Sequence, residues 1–165
     1  MHDPLSDIRR RHVNAMRKNI DTLGNIVART TQRDAITYRD SGDGWTVLEV
    51  LGHLKDFDRI FYDRAVMMRD DEQPNLPAFD HDVLVEEGQY NLQTKDAVYG
   101  ALRASRMEMI AFFEALTDDQ WARTGVHPER GTFSITDAAV QVVLHDVDHT
   151  EQITRILAEK LPSNA

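Results

Sequence analysis

Apolar positions recur three to four residues apart in four long stretches of this chain, the spacing of one face of an α-helix. The first stretch runs through Leu5, Ile8, His12, Ala15 or Met16, Leu23 and Ile26, and predicts a helix ending near Arg29. Asp3-Pro4 in front of it reads as an N-cap followed by proline at the first helical position. The second carries Val47, Val50, Leu51, Leu54, Phe57 or Ile60, Phe61 and Met68, and should stop near Asp70. Thr46-Val47-Leu48-Glu49 at its start is a capping box, threonine at the N-cap and glutamate three residues on. Trp45, just before, is placed to pack on Val50 as a hydrophobic staple. The third stretch has Val98, Leu102, Met109, Phe112 and Leu116 on its stripe. The fourth starts on the cap Ser134-Ile135-Thr136-Asp137 and runs to about Lys160.

Between these helices the chain is rich in turn formers. Thr30 to Gly44, with Ser41-Gly42-Asp43-Gly44, reads as a connection. Residues 71–91 hold Pro74, Pro77, Gly88 and several acids and make the longest one; such a loop is functional, mobile or partly helical. Thr117-Asp118-Asp119-Gln120 starts a short extra turn by the same capping logic, and Gly125 to Gly131 is a turn-rich link. No alternating strand pattern, repeat or low-complexity tract stands out. The expectation is one all-α domain over residues 1–165. Its fold is a four-helix bundle of up-down-down-up or similar type, with a short extra helix before the last.

Two histidines interrupt the apolar stripe of the last helix. The stripe runs Ile135, Ala138, Val142, then His145 and His149, then Ile153 and Ile156. Four residues apart on a helix, the two rings lie about 40° apart around the axis and about 6 Å along it, so they can converge on one ion. Inward imidazoles need partners, because an unpartnered buried polar group costs free energy. A metal ion would satisfy both; ordinary hydrogen-bonded core histidines are the alternative.

Composition narrows the chemistry. The chain has 165 residues, 19 basic and 28 acidic, a formal net charge of -9, and no basic run longer than Arg9-Arg10-Arg11. A phosphate backbone should be repelled, so nucleic acid is not an expected partner. There is no cysteine, which removes disulfides, a cysteine nucleophile and thiolate ligands, leaving nitrogen and oxygen for any metal. Neither a signal-peptide core nor an apolar run of membrane-spanning length is present. The expected location is the cytoplasm, away from membranes.

Trp45 through Leu54, with Gly52-His53, resembles the start of the second helix in DinB-like proteins. Gly131 through Ile153, with His145, His149 and Gln152, resembles their last helix, and Val126 to Gly131 their approach to it. The likeness spans nearly the whole chain, up to about Leu157. It implies a four-helix bundle, often dimeric, and a divalent metal held by three histidines that fall here on His53, His145 and His149. Zinc is the first choice, with nickel or iron as further options, because imidazole suits all of them. The family includes thiol-dependent transferases and isomerases, so a low-molecular-weight thiol is an implied co-substrate.

Three neutral imidazoles leave a tetrahedral ion one position for water or substrate. Such an ion lowers the pKa of its water to about 7, polarises a carbonyl, or holds a thiolate. The sequence therefore points to a metal-dependent hydrolase or thiol-dependent transferase acting on a small molecule. A non-catalytic metal-binding stress protein and a helical dimerisation module are the other readings. No catalytic side chain is evident, and no serine or lysine has partners that would make it a nucleophile. His12, on the first stripe, is placed as a further ligand, a second-layer group or a core histidine. Gln152 is placed to orient a ligand, bind substrate or face solvent. Asp146 and Asp148 read as solvated, with acceptance of a proton from a ligand imidazole as the alternative, Glu49 as part of its cap, and His81 and His127 as loop residues, His81 able to close over the site.

Overall fold

Thr46 opens the helix Val47–Asp70 in the manner its capping box predicts. Its hydroxyl accepts from the Glu49 amide at 3.1 Å, and Glu49 accepts from the Thr46 amide at 2.7 Å. Ser134 and Asp137 make the same reciprocal pair at the start of the last helix. A computed structural model of the chain describes residues 4–159. The expected cap at Asp3 and the expected helix end at Lys160 lie outside them. The long helices are α1 (Pro4–Arg29), α3 (Val47–Asp70), α5 (Lys95–Ala115) and α7 (Ile135–Ala158). Shorter helices α2 (Gln32–Thr37), α4 (His81–Gly88) and α6 (Asp118–Trp121) sit in the connections.

Cross-helix contacts set the directions. Arg17 of α1 meets Glu114 of α5, while Ile20 accepts from Tyr99; later residues meet earlier ones, so these helices are antiparallel. Arg9 and Asn19 of α1 reach Thr136 and Asp146 of α7, a parallel pair. Asp58 and Tyr62 of α3 meet Arg106 and Phe112 of α5, again parallel. His53 and Phe61 of α3 meet His149 and His145 of α7, antiparallel. The order is up-down-down-up. Because α3 and α5 run the same way, the chain between them must travel back along the bundle, a helix of 24 residues being about 36 Å long. That return is why residues 71–94 form the longest connection, and it carries α4 across the bundle beside α3.

Two departures from the sequence pattern matter. Residues 124–134 form an antiparallel hairpin, β1 (Thr124–His127) and β2 (Gly131–Ser134), with Thr124 opposite Ser134 and His127 opposite Gly131. Gly131, at φ 70°, closes its three-residue turn, a backbone conformation that glycine adopts without strain. Second, α1 buries Arg9, Val13, Met16, Ile20, Leu23 and Val27. Leu5 and Ile8 are 43% and 44% exposed, so the inward stripe is shifted by one residue at the start of this helix and His12 is turned aside.

The apolar core is divided. One cluster contains Met16, Phe61, Met109, Phe113 and Val142; the other contains Ile20, Leu51, Leu54, Leu102 and Ile153. Each of the four long helices also contributes a polar residue there: Asn19, Asp58, Arg106, and on α7 His145, Asp146 and His149. Among the described residues, no helix is long and apolar enough to cross a membrane.

Candidate metal centre

His53 reaches this polar layer from α3, seven residues after its cap, and is 5% exposed. His145 and His149 come to it from α7, one turn apart. The Nε2 atoms of His53 and His145 are 2.9 Å apart. Ring centroids are 4.6 Å apart for His53 and His149 and 4.5 Å for His145 and His149. One nitrogen from each of the three rings lies within 4.8 Å of the others. Two nitrogens bound tetrahedrally at about 2.0 Å from one ion would be about 3.3 Å apart, so the trio converges on the scale of a single ion.

The protonation of His149 follows from its partners. Asp40 Oδ2, an acceptor, lies 3.0 Å from Gln152 Nε2, while Oδ1 of the same carboxylate is paired to Arg155. The carboxylate therefore takes the amide N–H, which turns Gln152 Oε1 towards His149 Nδ1 at 2.8 Å. That oxygen can only accept, so Nδ1 carries the proton and Nε2 offers its lone pair to the other two rings. An outer partner that fixes the tautomer is the usual companion of a metal-binding histidine. His53 differs, because its buried Nδ1 has no partner among the described residues.

The surroundings keep all three rings neutral. Burial, then the charges of His149 and His81, push His53 down to about 3. Burial and the neighbouring His149 and His53 push His145 down to about 2. Burial also lowers His149. Aromatic rings pack against them: Trp45 and Phe57 lie 4.9 and 4.5 Å from His53, and Phe61 5.3 Å from His145. Neutral imidazole is the form that donates a lone pair.

Beneath His145 lies a buried ionic group. Arg106 donates to Asp146 at 2.6 and 2.8 Å and to Asp58 at 2.6 Å. Burial works to lower the arginine's pKa, but the two carboxylates outweigh it and the net shift is upward. Asp146 is therefore fully buried rather than solvated, while Asp148 is exposed as expected. The signal was in the pattern: Asp58 stands between Leu54 and Phe61, and Arg106 between Leu102 and Met109, each in an inward slot.

Gln152 is at the site; His12 is not. His12 Nδ1 lies 2.8 Å from the carbonyl of Ile8 in its own helix, and its side chain is half-exposed on the flank of α1. Glu49 serves the cap and also meets Arg39 and Asn91. His81 heads α4, exposed, with its ring 6.1 Å from that of His53 and 6.0 Å from Trp45. His127 belongs to β1 and lies 3.2 Å from Arg64. Both line a cleft of about 200 Å3 that opens beside His145.

Comparison with known proteins bears on the fold and the family. "Putative metal-dependent hydrolase OB0413" of Oceanobacillus iheyensis is 23% identical over 82% of this chain and 80% of its own length. "Putative metal-dependent hydrolase OB0782" of the same organism is 28% identical over 84% and 79%. Among solved structures, YfiT from Bacillus subtilis, described as a probable metal-dependent hydrolase with an unusual four-helix bundle topology, superposes with a TM-score of 0.84. It is 23% identical, over 92% of this chain and 87% of that one. A mycothiol-dependent maleylpyruvate isomerase shares the fold at a TM-score of 0.72 and 12% identity, over 95% and 71%. The family model of the DinB superfamily matches residues 15–153, and the chain belongs to that superfamily.

Proposed function

We propose that this protein is a metal-dependent hydrolase of a small molecule, with His53, His145 and His149 as the ligands of one divalent ion, zinc first and nickel or iron next. The observation that carries the reading is the convergence of three neutral imidazoles from two helices, with His149 held in the tautomer that presents Nε2. When bound, such an ion supplies Lewis acidity and makes a nucleophile available near neutral pH. The rest is the work of the chain. Gln152 and Asp40 fix the His149 ring. Trp45, Phe57 and Phe61 exclude water from the ligand rings and keep the local dielectric low, which strengthens charge interactions there. His81 stands at the mouth of the site, placed to take up or give a proton during turnover. Three converging ligands among the described residues match the open geometry of catalytic sites better than the four of a structural one.

The test is metal content by mass spectrometry on untagged protein beside a His145→Ala/His149→Ala variant. About one divalent ion per chain in the parent and none in the variant is expected. Loaded protein is then assayed on ester and amide substrates with and without thiols; turnover that requires an added thiol identifies a thiol transferase instead. A parent that neither contains nor takes up a divalent ion at neutral pH overturns the reading.

A further inference from the structure

Three arginines are buried among the described residues: Arg9, Arg64 and Arg106, at 7%, 6% and 2% exposure. Arg106 holds two carboxylates and Arg9 faces Asp118 at 3.5 Å. No carboxylate among the described residues is within ion-pair distance of Arg64. Its guanidinium donates to the Pro77 carbonyl at 2.5 Å and lies 3.2 Å from His127 Nε2, and its buried Nε has no partner among the described residues. The His127 ring is a poor acceptor for it. The Glu129 amide donates to Nδ1 of that ring at 3.2 Å, and a neutral imidazole has one lone pair for the two donors facing it. The nearest acid, Glu129 on the cleft rim, attracts the guanidinium only from beyond ion-pair distance, and a desolvated cation so weakly compensated is costly, a cost that a ligand anion in direct contact would relieve.

Arg64 lines the same cleft that reaches His145. The intervening walls are aromatic: Phe57, Phe61, Phe79 and Phe133, with the Arg64 guanidinium 5.8 Å from the Phe79 ring. Arg130 adds a second, exposed cation to the rim, and Glu129 beside it makes no ion pair with Arg64 among the described residues. A pocket with one buried guanidinium, apolar walls and a reactive end fits a particular shape of molecule.

We infer that the substrate is a small carboxylate with an apolar, preferably aromatic, body: its carboxylate pairs with Arg64, its body lies against the phenylalanines, and its reacting group faces His145. This inference rests on the proposed hydrolase site for the reacting end alone; the carboxylate subsite is a property of the chain without metal. A carboxylate suits the subsite because it only accepts, which is what the under-served guanidinium lacks. A phosphate, with more charge and more acceptor oxygens, would call for several donors together.

Phenylacetate and its neutral amide, 2-phenylacetamide, are the probes, titrated calorimetrically into the full-length protein both as purified and after chelator treatment. The acid should bind at least tenfold tighter than the amide in both states, and also to a His53→Ala/His149→Ala variant. Arg64→Met should abolish the preference and Arg64→Lys should keep part of it. Equal binding of acid and amide by the parent, or an Arg64→Met variant that retains the preference, overturns the inference. If Arg64→Met does not fold, the acid-to-amide ratio in the parent decides alone. Metal content measured on the same samples separates the two readings. A chain without metal that prefers the acid keeps the subsite and loses the hydrolase, while a metal-bearing chain without preference does the reverse.

Discussion

The guanidinium of Arg106 grips the carboxylate of Asp146 through two hydrogen bonds, 2.6 and 2.8 Å long, with both side chains almost wholly out of solvent. Asp146 adjoins His145, so this pair sets the rotation of α7 about its axis and hence the face on which His145 and His149 project. Asn19 adds a bond from α1 to the same carboxylate at 3.3 Å. Four helices thus meet where the imidazoles do.

Removing one partner of such a pair strands the other charge in the interior. Asp146→Ala should destabilise the metal-free protein by about 3–5 kcal/mol in chemical denaturation. Asp146→Asn, which keeps the shape and one acceptor oxygen, should cost less. A loss under about 1 kcal/mol for the alanine variant would mean that water replaces the carboxylate, and that the pair does not hold the helices in register.

Acid should weaken the metal-free fold well above the usual carboxylate range. His53 and His145 lie near 3 and 2 in the folded chain, against 6.5 for the ordinary side chain. Below pH 6.5 the unfolded chain takes up these protons and the folded chain does not, so stability is present above that pH and falls as pH drops towards 3. Each histidine contributes a slope of about 1.4 kcal/mol per pH unit in that window. Denaturation midpoints at pH 7 and pH 5, with His53→Phe reducing the difference, would check this. Equal midpoints in the parent would show that the rings are protonated without strain.

Most of the bundle was legible because its signals are short-range. Capping boxes at Thr46, Thr117 and Ser134 are four-residue patterns, and the 3.6 period needs only one helix to be read. What was missed depends on partners far away in the chain. The hairpin strands are four residues each, too short for alternation to show. β1 is completed by a bridge from Asn75 to Val126, which no local window contains. Leu5 and Ile8 imitate a continuation of the α1 stripe, and that false phase is what placed His12 inward. Of the three histidines that converge, two stand out by spacing and one by family likeness. That no carboxylate among the described residues comes within ion-pair distance of Arg64 is a relation between distant segments, invisible until they are packed.

Metal should stabilise the fold by mass action. A ligand at a hundred times its dissociation constant contributes about 2.7 kcal/mol if only the folded chain binds it. Thermal unfolding with added zinc should therefore shift upward in the parent, return on adding chelator, and stay unchanged in His145→Ala/His149→Ala. An equal shift in the variant would assign the effect to surface carboxylates.

Gln152 acts on the centre through His149 and should be visible in affinity. Gln152→Ala removes the acceptor that holds the Nδ1 proton, and losses of about 10–100-fold in metal affinity are typical for such partners. Competition against a chromophoric chelator measures it. Gln152→Glu keeps an acceptor for Nδ1 but loses the donor to Asp40 and sets a second carboxylate against it, so it should recover only part of the affinity. If both variants bind like the parent, the ring is held by packing instead.

Gly52, one residue before His53, has a different duty. A Cβ there would lie 2.1 Å from the ring of Tyr90, so alanine cannot enter without displacing it. Tyr90 is 2% exposed, donates to Asp56 at 2.6 Å, and lies 5.0 Å from the Lys55 ammonium; it ties the segment after α4 to α3. Gly52→Ala should therefore cost about 1–3 kcal/mol by overpacking, and should speed amide exchange across 81–92, the segment that brings His81 to the site. Gly100 supplies the control, since it is an exposed helical glycine of α5 with nothing within 4 Å of the added carbon. The same substitution there should be stabilising by up to about 1 kcal/mol, because alanine is the better helix former. Opposite signs at the two glycines would show that close approach to Tyr90, and not helix propensity, selects glycine beside His53; a stabilised Gly52→Ala variant would remove that explanation.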